Sequence, residues 1–157
     1  MATSIQIWLE IAHRAKYRLG GWAFVRGVRG GVVGTAGGAR QSDLERTSLL
    51  ALAGALAGLA QGAVVQLHTS SPELLALPAR IAEFEANNSA PSENLDAWAQ
   101  VSTGLRRIQL DMRPVSSAPD SRAAFAAAWA AFALDRTRDR GAFTAPIPKS
   151  NLLKAGV

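Results

Sequence analysis

The stretch Val64-Val65-Gln66-Leu67-His68-Thr69-Ser70-Ser71-Pro72-Glu73-Leu74-Leu75, VVQLHTSSPELL, decides how the chain is read. Val64 to Leu67 reads as a short buried strand. Thr-Ser-Ser then ends it, and Pro72 sits where a helix can begin, because its missing N–H costs nothing in the first turn. A strand that passes at once into a helix belongs to an α/β chain in which helices cover a sheet. The pattern raises a chemical question too, because the end of such a strand is a common seat for functional side chains and here it holds Ser70.

Upstream, Ser4 to Leu9 alternates, with Ile5, Ile7 and Leu9 on one face. Gly21 to Val28 and Gly31 to Thr35 predict two more strands, joined by a tight turn at Gly30-Gly31. Ser42 to Glu45, SDLE, has the spacing of a capping box. Leu44, Leu49, Leu52, Leu56 and Leu59 follow at helical spacing. Downstream, Leu95, Trp98, Val101 and Leu105 mark a helix, Ile108 to Met112 a fifth strand, and Ala123 to Leu134 a last helix carrying Phe125, Trp129 and Phe132. The expectation is a five-stranded mixed sheet, three antiparallel strands and then two reached through helices, with helices on both faces. Residues 1–140 would form the domain, and 141–157 an extended or flexible tail, because that stretch mixes charge, Gly and Pro.

The chain has 157 residues and 48% hydrophobic content, enough for one domain with one core. It has no cysteine, which excludes disulfides and thiolate metal sites and fits a cytoplasmic protein. The first residues lack a basic start followed by an apolar run, so no signal peptide is expected. The longest apolar run, Leu49 to Ala60, is too short for a bilayer, and no membrane partner is expected. The net charge of +5, carried mostly by arginine, permits a polyanionic partner, since guanidinium forks onto phosphate. A coding bias toward Arg, Ala and Gly would give the same composition.

Taken in order, six strings resemble ribonuclease HI. IQIWLE resembles its first strand, GGWAFV its second, and RTSLLALAGAL its first helix. LHTSS resembles the end of its fourth strand, ENLDAWAQV the helix before strand five, and APDSRAAFAAAWA its last helix. The resemblance covers roughly residues 4–134 and implies a ribonuclease H-like fold. It also implies two-metal phosphodiester hydrolysis, with two Mg²⁺ ions about 3.5–4 Å apart held by four carboxylates. Carried over one by one, those positions fall on Glu10, Ser48, Ser70 and Phe125, and the family's mobile histidine falls near Val115. One carboxylate, two hydroxyls and a phenyl ring are not a ligand set for Mg²⁺. No metal and no cofactor are therefore expected. Mg²⁺ would enter only through a weak residual nuclease built on Glu10, Glu45 and Asp43.

The family grips an RNA–DNA hybrid through phosphates and minor-groove 2′-hydroxyls. Here the densest basic stretch is IAHRAKYRLGG, with His13, Arg14, Lys16 and Arg18 around Tyr17. Arg14, Lys16 and Arg18 are the candidate nucleic-acid contacts, against the plainer reading of a solvated hairpin. The stretch RIAEFEANNSAPSEN carries Glu83, Glu85 and Glu93 where some family members have a basic protrusion. Two further alternatives remain open at this level. A protein-interaction or homo-oligomeric subunit would use the old active face and the C-terminal tail, and a weak ribonuclease H would keep metal-dependent cleavage.

Overall fold

The computed structural model describes residues 4–28, 31–116 and 118–154. It contains β1 (Ile5–Arg14), a single 3₁₀ turn (Ala15–Tyr17), β2 (Leu19–Val28), β3 (Gly31–Ala39), α1 (Leu44–Leu56) and β4 (Val64–Thr69). There follow α2 (Pro72–Ala86), α3 (Leu95–Arg107), β5 (Gln109–Pro114), α4 (Arg122–Arg140), β6 (Phe143–Pro146) and α5 (Lys149–Leu152). The strands form one sheet in the order β5-β4-β1-β2-β3-β6. β1, β2 and β3 are antiparallel neighbours, and β4 and β5 join in parallel through helical crossovers. The turn expected at Gly30-Gly31 lies partly outside the described residues.

The sheet has two cores because its strands alternate. Ile7, Leu9, Trp22, Phe24, Val65 and Leu67 face α1, α2 and α3, where Leu49, Leu52, Leu74, Leu77, Trp98 and Val101 complete the larger cluster. Ala23, Val25 and Ala36 point the other way, against Ala130 and Ala133 of α4. On that second face the approach is very close. A Cβ on Gly21 would come within 2.6 Å of the Ala130 carbonyl oxygen and the Leu134 amide, and one on Gly38 would overlap the Thr137 hydroxyl. Glycine on the strands and alanine on the helix let backbone meet backbone there.

Three expectations are corrected. The sheet has six strands, because the stretch read as a tail adds β6 to the free edge of β3, pairing Gly38 with Phe143 and Thr35 with Pro146. The cause is apolar: Ile147 and Leu152 are buried in the α4-side core, and the Ile147 amide donates to the Gly34 carbonyl at 2.9 Å. The start of α1 is capped by Asp43, which accepts from the Arg46 amide at 2.7 Å, and not by Ser42, whose hydroxyl is 2.8 Å from that of Thr47. Glu45 does not reach back to a cap; it accepts from Arg80 at 2.7 Å and from the Asn94 amide at 3.0 Å. Arg46 ties α1 to α3 by a fork onto Asp96 at 2.9 and 3.0 Å, and these bonds hold the Asp96 carboxyl down to about 2. β1 also runs further than its alternation suggested, to Arg14, so the basic stretch begins on a strand.

Truncating Ile147 to Ala should cost about 2–4 kcal/mol, the range for emptying a buried aliphatic site. Urea unfolding measures it, and a loss near zero would mean that the C-terminal segment is not part of the core.

Candidate functional site

Parallel pairing sets the site. β1 and β4 run in register with Trp8 beside His68, so two residues on, Glu10 and Ser70 reach the same level as β4 ends. Ser71 caps α2 by accepting from the Leu74 amide, with Pro72 in the first turn. The strand-to-helix turn therefore aims the Ser70 amide and hydroxyl back at β1.

Glu10 is buried, 4% exposed, and both carboxylate oxygens are occupied. Oε1 accepts from the Ser70 amide at 2.6 Å and from the Thr69 hydroxyl at 3.3 Å. Oε2 accepts a short bond from the Ser70 hydroxyl. A buried carboxylate without partners would be costly, and three donors offset that cost. An aspartate in place of Ser70 would instead set a second negative charge against the first, which is favourable only with a cation between them.

The other carried-over positions do not converge with this pair as ligands. Ser48 is fully buried and its hydroxyl donates to the Leu44 carbonyl of its own helix at 2.8 Å. Phe125 is half-buried against the α4-side core, its ring centre 6.3 Å from that of Trp129. Val115 continues the strand pairing, its amide donating to the Thr69 carbonyl at 3.1 Å. Asp43 and Glu45 are engaged in the cap and the Arg80 pair described above. Among the described residues no group of three or more His, Asp or Glu side chains could hold a metal ion. The donor set around Glu10 is one carboxylate and two hydroxyls, which does not fit a pair of Mg²⁺ ions.

His68 stands beside the site on the second face of the sheet. Its ring stacks on Trp8 at 4.8 Å and 15°, and Arg122 lies over the Trp8 ring, 4.6 Å from its centre. Its Nε2 is 2.7 Å from the Gln6 amide oxygen, so that nitrogen carries the proton and donates. Burial pushes the imidazole below its ordinary value, and the Arg113 charge pushes the same way.

Arg14, Lys16 and Arg18 are exposed at the β1–β2 turn. Arg14 pairs with Asp135 of α4 at 3.5 Å, and the Lys16 ammonium is 5.5 Å from the Tyr17 ring centre. Arg18 is left-handed (φ 51°), and its carbonyl accepts from the Ser42 amide at 2.9 Å. Two cations that the sequence reading passed over stand with them: Arg40 and Arg138 line one cleft with Tyr17, Leu19 and Gln41. The stretch with Glu83, Glu85 and Glu93 forms the acidic end of α2 and a loop turned by Asn88 and Asn94, both left-handed.

No protein-family model matches the chain, and no curated protein matches it. Solved structures do match. One is the crystal structure of LC9-RNase H1, described as "a type 1 RNase H with the type 2 active-site motif". It superposes with a TM-score of 0.65 at 11% identity, over 99% of this chain and 86% of that one. The fold is therefore ribonuclease H-like, with a mixed six-stranded sheet. Among the described residues no helix is long and apolar enough to cross a membrane.

Replacing Ser70 by Ala should cost about 1–3 kcal/mol, the range for stripping donors from a buried charged acceptor. A cycle with Glu10→Gln in urea unfolding should show that most of this loss depends on Glu10. His68 should titrate by NMR below its ordinary value of about 6.5. Its neutral form is the one the fold favours, so its contribution is full above that value and is lost as pH falls through the folded pKa.

Proposed function

We propose that this chain is a ribonuclease H-like module that binds nucleic acid, with an RNA–DNA hybrid or a duplex as its ligand, and does not cut it. One observation carries the reading. The positions that resemble the family's metal-binding carboxylates hold a Glu10 carboxylate closed by Ser70, a Ser48 turned into its own helix, and the Phe125 ring. Two-metal hydrolysis needs anionic oxygens that are free to take hydrated Mg²⁺. The binding half of the reading rests on the fold, a net charge of +5 and the exposed Arg14, Lys16 and Arg18. Fold likeness alone does not assign a function, which is why the charge and the site chemistry carry the argument.

A second reading has one observation in its favour. Phe132 on α4 is 53% exposed beside Trp129, and an exposed aromatic on a helix suits a protein contact. The C-terminal segment supports that reading less, because Ile147 and Leu152 are used inside the chain.

The test is fluorescence anisotropy with a labelled RNA–DNA hybrid and a matched DNA duplex, at low and near-physiological salt, followed by incubation with Mg²⁺ or Mn²⁺. Hybrid binding that survives moderate salt, with the hybrid left intact, is the expected result. Equal binding of both duplexes that vanishes with salt would reduce the interaction to nonspecific charge. Cleavage abolished by Glu10→Gln would overturn the inactive assignment, and a salt-resistant oligomer without hybrid binding would favour the protein contact.

A further inference from the structure

The charge of this protein is concentrated at one end. The β1–β2 turn brings Arg14, Lys16 and Arg18. The end of β3 brings Arg40, whose guanidinium donates to the Thr137 and Arg138 carbonyls at 3.1 and 3.0 Å and so caps the last turn of α4. The last two turns of α4 bring Arg136, Arg138 and Arg140. The Arg14–Asp135 and Arg138–Asp135 pairs, and the cleft shared by Tyr17, Arg40 and Arg138, place the three segments together. Among the described residues these seven cations form ion pairs only with Asp135 and Asp139. The chain has seventeen basic and twelve acidic residues, so the remainder balances at ten of each, and the local excess equals the whole net charge of +5.

Five of these cations have no carboxylate partner among the described residues: Lys16, Arg18, Arg40, Arg136 and Arg140. Arg136 lies over the Phe143 ring, 4.3 Å from its centre, which holds it in place without neutralising it. Tyr17, 59% exposed, stands among them. The C-terminus of a helix prefers cations, so the fold itself favours arginines there. That preference accounts for Arg138 and Arg140 and leaves the cations of the β1–β2 turn, which stand at the end of no α-helix, unexplained.

We propose that this end, formed by the β1–β2 turn, Arg40 and the last two turns of α4, is the surface that holds the phosphodiester backbone of a nucleic acid. The inference rests on the nucleic-acid reading above and gives it a location away from the closed Glu10–Ser70 pair. A patch with a local excess of five charges steers and holds a polyanion by releasing its counterions. The arginines offer forked donors to phosphate oxygens, and the exposed Tyr17 ring offers a face to a base.

The experiment compares three double variants of the full chain by anisotropy on the labelled hybrid across a salt series: Lys16→Gln/Arg18→Gln, Arg136→Gln/Arg140→Gln, and Arg106→Gln/Arg113→Gln as a distant control. Thermal melts confirm that each is folded. Each of the first two should weaken binding at least about tenfold at 0.1 M salt and lower the salt slope by roughly 1–2, since each phosphate contact contributes about 0.9 to that slope. The control should change little. If the wild-type chain binds no nucleic acid, the functional reading itself fails. If it binds and the control loses as much as the others, the reading stands and this location is wrong. Vesicles of phosphatidylserine form the last arm: wild-type binding to them with no binding to hybrid or duplex would overturn the nucleic-acid assignment.

Discussion

The close approach of α4 to the sheet is the constraint on which the rest of the molecule depends. Gly21 meets the backbone of Ala130 and Leu134 there, and Gly38 gives room to the Thr137 side chain. A side chain on either strand would lift the helix by an ångström or more, since packed interiors have no slack to absorb it. With α4 held down, its last turn ends beside the β1–β2 turn, and Arg40 can reach its terminal carbonyls. The charge at that end of the molecule is thus placed by residues that have no side chain at all. The same contact leaves β4 and β5 outside the shelter of α4, so that His68, Gln66 and Arg113 lie on a face that is polar by alternation.

Glu10 shows how a buried carboxylate can be made self-sufficient. Where carboxylates face each other, a cation must hold them together, and folding and metal binding become linked. A single carboxylate opposite a hydroxyl and a backbone amide has no such need. The glutamate side chain is long enough for its carboxylate to reach across from β1 to the turn after β4. Thr69 adds a donor and at the same time accepts from the Ser71 amide, so the turn is tied to the carboxylate on both sides. The carboxylate is therefore satisfied by several residues acting together.

Much of this was legible in the chain. The alternation of Ile7 and Leu9 against Trp8 and Glu10, and of Val65 and Leu67 against His68, is enough to orient two strands, and parallel pairing then brings Glu10 and Ser70 together. The helical spacing of α1 and α3 was equally plain. What escaped was non-local or weakly marked. β6 is four residues long and bounded by Gly141 and two prolines, so its period is too short to register, and its reason for being there is the burial of Ile147 and Leu152. The joining of Arg14 to Asp135 spans most of the chain and has no local signal. The cap of α1 was misplaced by one residue because Ser42 and Asp43 are both good caps, and Thr47 decides between them by taking the serine hydroxyl.

An open six-stranded sheet has two borders, and each is finished differently. β6 closes one, with Pro146 inside it and Pro148 just beyond, residues that offer no amide to an incoming strand. β5 forms the other, where Gln109, Asp111 and Arg113 are exposed, Asp111 and Arg113 are paired at 2.8 Å, and Pro114 ends the strand. Neither border presents a long, flat apolar ribbon with free donors, which is the template on which sheets of neighbouring molecules join. The C-terminal segment therefore acts as a guard against aggregation as well as a part of the core. A chain cut before Phe143 would expose the glycine-rich border of β3, a strand with weak register and an invitation to edge-to-edge stacking.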